Sequence, residues 1–199
     1  LYTMVVGLQN IGNTCFMNSA LQVILNCDKL NDAVIKSPCN TPLIDAYRDL
    51  VKKYRDCKES EIIIPKPIKK VMGKKYGIFG GYQQQDSHEF LSLLLLGLES
   101  ELKEQSINNI VGEILDVKVN IIVSSKETDK TSSHYENTTI LPLDLPTDNQ
   151  DTCLGDCINN YMSEHSIDEP VKFEVKDNNK KKIIEEQASQ EWIIEELSE

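Results

Sequence analysis

The sequence predicts an α+β protein in which helices come first and strands follow. Three observations support this. Apolar residues recur with the 3.6-residue period of half-buried helices through about residue 109. From residue 110 the pattern changes to the two-residue alternation of strands. The 199 residues, 40% of them hydrophobic, are enough for a sizeable core. We therefore assign 1–109 to a helical subdomain and 110–199 to a β region.

The composition restricts where the protein works and what it binds. It has 32 acidic and 21 basic residues, a net charge of −11, which argues against nucleic acid and anionic membranes and suits a basic partner. There is no run of eighteen apolar residues and no basic N-terminal leader pattern, so we expect no membrane span and no signal peptide. A cytoplasmic or nuclear location is expected, with the six cysteines reduced.

The stretch from Gly7 to Gln22 places a cysteine where a glycine-punctuated turn becomes a helix. Asn13 or Thr14 is expected to cap that helix, whose buried stripe is Met17, Ala20, Leu21, Ile24 and Leu25. Cys15 then lies in the first turn, where the helix dipole favours a thiolate beside free backbone amides. This is the arrangement that a cysteine hydrolase needs. The alternative is that Cys15 is a small buried apolar residue.

Three further segments are expected before residue 83. Asp28 to Asn40 is predicted to be an irregular connection. Thr41 and Pro42 are the N-cap and first residue of a second helix with its buried stripe through Tyr54. Ile62 to Ile64 is either a brief strand or a linker. Pro67 could open a short helix that ends at Gly73, and Gly77 to Tyr82 is predicted to be a loop.

The stretch from Tyr82 to Leu91 introduces a long helix. Asp86 and Glu89 have the spacing of a capping box, and a leucine-rich stripe follows from Phe90 to Leu102. His88 on its own is more typical of a solvated or capping histidine than of a catalytic base.

Strands dominate the rest of the prediction. Residues 115–123 alternate as a strand, 124–137 are a polar turn region, and 138–145 form the partner strand, placed near an edge by Pro142. A helix capped by Asp151 or Thr152 runs to Met162, and Val171 to Val175 is a short strand. The charged tail from Asn178 fits either an amphipathic helix or a strand.

The sixteen residues from Gly7 to Gln22 closely resemble the cysteine box of the ubiquitin-specific proteases, a family of papain-like deubiquitinases. Gln84 to Leu91 (Gln-Gln-Asp-Ser-His-Glu-Phe-Leu) resembles the family's second box. The resemblance implies that Cys15 is the nucleophile, and that Asn10 donates to the oxyanion together with the backbone N–H of Cys15. It also implies that Gln84 and Asp86 contact the basic tail of ubiquitin.

The same resemblance implies a papain-like fold, with a helical thumb over 1–109 and part of an antiparallel fingers and palm sheet over 110–199. Ubiquitin or ubiquitinated proteins would be the partners, and no cofactor is expected. The family's structural zinc uses two Cys-x-x-Cys pairs. Cys153 and Cys157 are spaced i, i+4 with no second pair, so they are predicted to be ordinary helical thiols and no metal is expected.

The family's histidine box, a late Gly-His-Tyr motif, has no counterpart among His88, His134 and His165. His134 is followed by a tyrosine, but its neighbours place it in a fingers turn. We therefore expect the catalytic histidine to come from sequence absent from these residues and the chain alone to be inactive. A partly missing palm would expose sheet edges, so we expect either a C-terminal segment of the same domain or self-association.

Three functions remain open on the sequence. The first is a deubiquitinating thiol hydrolase that cleaves after the C-terminal glycine of ubiquitin. The second is a non-catalytic ubiquitin-binding module that keeps the cleft without its base. The third is a scaffold with no link to ubiquitin, which two separate boxes in the right order disfavour.

Overall fold

The computed structural model describes residues 6–58, 61–145, 152–177 and 180–197, and over these ranges the protein is α+β, with seven α-helices and eight strands. It divides into two compact units, Leu1–Ile114 and Leu115–Glu199. Each is described on its own. The assignment of 1–109 to a thumb and 110–199 to fingers and palm stays a prediction.

The first unit is helical. Its helices are α1 (Cys15–Leu25), α2 (Asp28–Lys36), α3 (Pro42–Asp56), α4 (Lys66–Lys75), α5 (Ser87–Glu104) and α6 (Ile110–Leu115). Two short strands, β1 (Gly7–Leu8) and β2 (Ile62–Ile63), pair in parallel. The helices predicted to begin at Cys15, Pro42 and just after Asp86 are confirmed, because their apolar stripes are the buried faces of α1, α3 and α5.

Its core is closed and aromatic at its centre. The ring of Phe16 lies 5.9 Å from that of Phe79 and 5.7 Å from that of Phe90, while Phe79 and Phe90 are 5.1 Å apart. The edge-to-face pairs among these rings stabilise the packing beyond simple burial. Tyr47, which is also fully buried, donates its hydroxyl hydrogen to Asn31 Oδ1 at 2.7 Å.

Glu101 is the buried charge of this core. Its Oε2 accepts from the backbone N–H groups of Leu43 (3.0 Å) and Ile44 (3.3 Å), and its Oε1 accepts from Lys75 Nζ (3.2 Å). A carboxylate from α5 therefore caps the first turn of α3. Burial raises the pKa of Glu101, but hydrogen bonds from Thr41, Lys75 and the two amides outweigh it and lower the pKa overall.

Three predictions for the first unit are wrong. Residues 28–36 are helical because Leu30 and Val34 bury one face of a short helix, and Arg48 donates to Val34 O at its end. Helix α4 passes Gly73 and ends at Lys75, since Gly73 packs directly on Gly80 instead of terminating the helix. The predicted loop at 77–82 contains a 3-10 helix, Gly77–Gly80, which buries Phe79.

The second unit is built on a four-stranded antiparallel sheet. Its elements are β3 (Val117–Ser125), β4 (Thr131–Thr138), α7 (Leu154–Tyr161), β5 (His165–Ser166), β6 (Val171–Asp177), β7 (Lys180–Glu186) and β8 (Ala188–Leu197). The strand order is β4-β3-β8-β5, and β6 and β7 form a separate hairpin. Ile121 of β3 lies opposite His134 of β4 on one side and Trp192 of β8 on the other.

Several predictions for this unit need correction. The partner strand is 131–138, not 138–145, because its polar residues are held by the ladder to β3 and not by burial. Residues 110–115 form α6, so the strand begins at Val117. Cys153 is the N-cap of α7 in place of Thr152, and Asp151 lies outside the described residues. The described part of the tail forms strands β7 and β8.

Among the described residues, none of the helices is both long and apolar enough to cross a membrane. All six cysteines carry free thiols.

Candidate active site

Cys15 is the first residue of α1 and is exposed. Thr14 occupies the N-cap position, as one of the two predicted residues, but its side chain makes no hydrogen bond to the helix amides. It accepts instead from Ile11 N at 3.0 Å. Within the described ranges, the backbone N–H of Cys15 has no hydrogen-bond acceptor, so a donor stays open beside the thiol.

Asn10 is fixed by the loop that it closes. Its Oδ1 accepts from Gly12 N (3.0 Å), Thr14 N (3.2 Å) and Thr14 Oγ1 (3.3 Å). Three donors at one atom identify that atom as the oxygen of the amide. The Nδ2 group has no acceptor among the residues the structure describes, so Asn10 offers an N–H donor in the same loop as the open amide of Cys15.

The segment before Asn10 is held by two amide side chains of α1. Asn18 Nδ2 donates to the carbonyl oxygens of Leu8 (3.1 Å) and Gln9 (3.2 Å), and Gln22 Nε2 donates to that of Val6 (2.6 Å). Residues 18 and 22 are one helical turn apart and so share a face. This face anchors the loop that carries Asn10.

The loop of the first box contacts Tyr82, two residues before the second box. Asn13 Nδ2 donates to Tyr82 O at 2.9 Å, across 69 residues of sequence. Gly12 has a φ of +109°, and a Cβ at this position would lie 2.8 Å from the Tyr82 ring. The turn therefore needs glycine for its backbone conformation, and a Cβ there would also have to displace the exposed Tyr82 ring. Below them, Phe16 of the first box packs on Phe90 of the second.

Asp86 is an exposed N-cap. Its Oδ1 accepts from His88 N (2.6 Å) and Glu89 N (3.0 Å), which confirms the predicted cap. The bonds from the amides of Glu89 and His88 lower the pKa of Asp86, so its carboxylate is charged at neutral pH. Gln84, two residues earlier, is also exposed. Both side chains are accessible to a ligand.

None of the three histidines has the surroundings of a cysteine's base. His88 is used for its backbone N–H at the start of α5, and in the described part of the first unit no hydrogen bond reaches Cys15 Sγ. His134 lies within β4, not in a turn, with its Nε2 3.3 Å from Glu136 Oε1. His165 Nε2 lies 3.0 Å from Asn160 O, and the centre of the His165 ring lies 5.3 Å from that of Trp192.

Sequence reasoning missed Asn18, Gln22 and Tyr82, all of which position the site. The first two could have been found, because amide side chains one turn apart on an amphipathic helix need partners. Tyr82 carries no comparable signal. Of the two thiols weighed as metal ligands, Cys157 is buried and Cys153 caps α7, and the expected absence of zinc stays a prediction.

Comparison with known proteins identifies the family. The profile of the ubiquitin carboxyl-terminal hydrolases matches residues 6–188. Ubiquitin carboxyl-terminal hydrolase 4 of Bos taurus is 39% identical over 108 residues, which is 48% of this chain and 11% of that protein. Ubiquitin carboxyl-terminal hydrolase 2 of Homo sapiens is 32% identical over 111 residues, 51% of this chain and 18% of that protein.

The matched stretch is therefore less than a fifth of the length of these relatives. The family profile nevertheless covers most of this chain, both boxes included. The chain belongs to the ubiquitin carboxyl-terminal hydrolase family, the deubiquitinating thiol proteases that its two boxes resemble.

Proposed function

We propose that this chain carries the nucleophile and oxyanion-binding part of a deubiquitinating catalytic domain. The observation that supports this most is an exposed thiol at the start of α1 whose own backbone amide is open, preceded by a loop that holds Asn10 by its oxygen and leaves its Nδ2 group open. Donors held in place before reaction stabilise a developing negative charge without reorganisation.

The reaction follows from these groups. The Cys15 thiolate attacks the carbonyl carbon of the C-terminal glycine of ubiquitin, forming a C–S bond, and the oxyanion accepts hydrogen bonds from the two N–H donors. The C–N bond then breaks, and the leaving lysine amine takes the proton that a histidine removed from the thiol. Water hydrolyses the thioester, which releases ubiquitin and restores the thiol.

The histidine comes from sequence outside these 199 residues. Two facts support this: no hydrogen bond reaches the Cys15 sulfur within the described first unit, and the matched relatives are far longer than the matched stretch. The first unit would then act as the papain-like thumb and the second as part of the fingers and palm.

Asp86 and Gln84 contact the tail of ubiquitin in this proposal. The carboxylate of Asp86 is charged and exposed, and the hydrogen bonds from the amides of His88 and Glu89 go to Oδ1. Oδ2 can therefore accept from a basic side chain of the tail, as a charge-assisted hydrogen bond.

A second candidate is a ubiquitin-binding module without turnover. The absence of a base beside Cys15 in the described first unit favours it for this chain taken alone. Both candidates require that ubiquitin binds, so binding and turnover must be measured separately.

The experiment is hydrolysis of a fluorogenic C-terminal amide of ubiquitin by the chain, with ubiquitin binding followed in parallel. We expect micromolar binding without turnover by the chain alone, and turnover by the longer protein that Cys15→Ala abolishes. Cys153→Ala, which removes another exposed thiol, is the matched control and should leave turnover unchanged.

Asn10→Asp separates catalysis from folding, because it keeps the oxygen that binds Gly12 N and Thr14 N but removes the N–H donor. It should lower turnover by about 10²–10³ while thermal unfolding changes little. Failure to bind ubiquitin, or turnover that survives Cys15→Ala, would contradict the proposal. If the 199 residues alone gave turnover that depends on Cys15, this would contradict only the proposal that the catalytic histidine comes from outside them.

A further inference from the structure

Helix α4 carries a concentration of positive charge that the proposed catalysis does not use. Its ten residues include five lysines and no acid, in a chain whose net charge is −11. Lys66, Lys70 and Lys74 follow one another at four-residue spacing. Like charges at this spacing repel and weaken a helix, unless an anion lies between them.

Two of the five lysines already have partners. Lys75 pairs with Glu101, and Lys69 donates to Gly81 O at 2.6 Å with its ammonium 5.1 Å from the centre of the Tyr82 ring. In the part of the chain that the structure describes, Lys66 and Lys70 have no carboxylate within ion-pair distance, and both are exposed.

These free lysines border an open groove of about 680 Å³. Its floor includes the backbone at Gly73 and Gly80, where α4 approaches the 3-10 helix so closely that a Cβ on Gly73 would lie 2.8 Å from Gly80 Cα. Ile11, Ile64 and Tyr82 supply its apolar lining, and Lys69 lines it as a third lysine. Among the residues that the structure describes, no carboxylate lines it.

The groove has the size of sites that bury ligands larger than a simple anion. Ile64 is 54% exposed and Tyr82 70%, so an occupant gains by covering apolar surface as well as by pairing charge. A second groove on the other side of Lys70 includes Glu101 in its lining and is therefore less suited to an acidic ligand.

We propose that this groove, bordered by Lys66 and Lys70, docks an acidic peptide segment of a protein partner. An apolar side chain of the segment would lie against Ile64 and Tyr82, with carboxylates on either side pairing with the two lysines. We choose an acidic occupant because the groove has a basic lining although the protein as a whole is acidic, and a basic lining is complementary to an acidic ligand. The groove shares Ile11 and Tyr82 with the surroundings of the Asn10 loop, but the proposed docking of an acidic segment does not depend on the proposed hydrolysis.

The test is fluorescence anisotropy with a labelled peptide Glu-Glu-Leu-Leu-Glu-Glu and its counterpart with every Glu replaced by Gln. We expect the acidic peptide to bind the full chain, the Gln peptide to bind at least tenfold more weakly, and affinity to fall as salt rises. Lys66→Gln/Lys70→Gln should weaken binding about tenfold. Lys52→Gln/Lys103→Gln, which removes two exposed lysines of α3 and α5, should not.

Ile64→Ser tests the apolar half of the site and should weaken binding severalfold while leaving the lysines intact. Circular dichroism confirms that each variant is folded. Three outcomes would overturn the proposal: equal binding of the two peptides, unchanged binding by the lysine double variant, or full displacement of the peptide by inorganic phosphate at matched ionic strength. The last result would mean a simple anion site.

Discussion

The two units of this protein are stabilised in different ways. Of the thirty apolar residues that are buried among the described ones, twenty-five lie in the first unit and five in the second. The first unit surrounds its core with helices, while the second unit leaves every residue of β4 except Thr138 exposed. The groups proposed for chemistry all lie in the unit with the closed core.

This difference teaches that the geometry around Cys15 depends on packing within its own unit. The loop of Asn10 is tied to α1, to β2 and to Tyr82, and all these contacts are internal to the first unit. The protein also offers a convenient probe, since its one tryptophan, Trp192, lies in β8. Tryptophan fluorescence therefore follows the second unit, and helical circular dichroism follows mainly the first.

The largest expected effect is that of Phe16→Ala. It removes the ring that packs on Phe79 and Phe90 and should lower the free energy of unfolding of the first unit by about 3–5 kcal/mol. In urea unfolding, the circular dichroism transition should move while the fluorescence transition stays. Ile121→Ala, opposite Trp192 in the sheet, should do the reverse. Coincident shifts in both variants would show that the two units unfold as one.

Glu101→Gln should have the next largest effect. Gln can still accept from the Leu43 and Ile44 amides, but it lacks the charge and the ion pair with Lys75. The free energy of unfolding of the first unit should therefore fall by about 2 kcal/mol at pH 7. Glu104→Gln, on the same helix but exposed, is the control and should change stability by less than about 0.5 kcal/mol.

The pH dependence of Glu101 has a definite direction. Because folding lowers its pKa, the carboxylate contributes its stabilisation above its ordinary value of 4.5 and loses it as pH falls toward the folded pKa. The difference in the free energy of unfolding between wild type and Glu101→Gln should therefore become smaller below pH 4.5. A difference that stays constant from pH 7 to pH 3 would contradict this account.

Gly12→Ala should lower the free energy of unfolding of the first unit by a smaller amount, on the order of 1–2 kcal/mol, because an L-residue is strained at a φ of +109°. The Tyr82 ring, which a Cβ would meet, is exposed and can move aside. In the longer protein, the same change should slow the proposed hydrolysis of the ubiquitin C-terminal amide by more than this stability loss explains, since it disturbs the loop of Asn10. Gly77→Ala, where a Cβ would meet no neighbour, is the control for both measurements.

The smallest effect is expected for Lys172→Gln in the second unit. Lys172 and Glu185 form an ion pair at 3.4 Å across the β6 and β7 hairpin, with both side chains mostly exposed. Such pairs contribute less than about 1 kcal/mol, so neither transition in urea should shift measurably. A clear shift of the fluorescence transition would mean that this hairpin supports the sheet more than its exposure indicates.

What could be predicted from the sequence follows the same division between the units. Helices α1, α3 and α5 are predictable from the sequence, because burial on one face imposes the 3.6-residue period that Leu94, Leu98 and Leu102 follow in α5. Strand β4 could not be found, because its polar sequence is held by backbone pairing with β3, which leaves no hydrophobic pattern. Helix α2 was missed because its few apolar residues gave too short a stripe.

At the site, residue identities could be predicted but their connections could not. The box around Cys15 indicated Asn10 as a donor, but the three bonds that fix its oxygen depend on a turn closed at Gly12 and Thr14. Tyr82 and Glu101 act through partners more than twenty residues away. Contacts of this kind depend on tertiary packing, which no local pattern records.

The position of β8 in its sheet has a consequence for biosynthesis. This strand lies between β3 and β5, yet it pairs with β3 across about 60 to 80 residues of sequence, a costly loop to close. Until β8 is synthesised, β3 has one partner, and its other edge is open to strands of other chains. A ribosome that stalls before Ala188 would leave a folded helical unit joined to an aggregation-prone hairpin. The risk of aggregation during synthesis therefore comes from the second unit, although the proposed catalytic groups lie in the first.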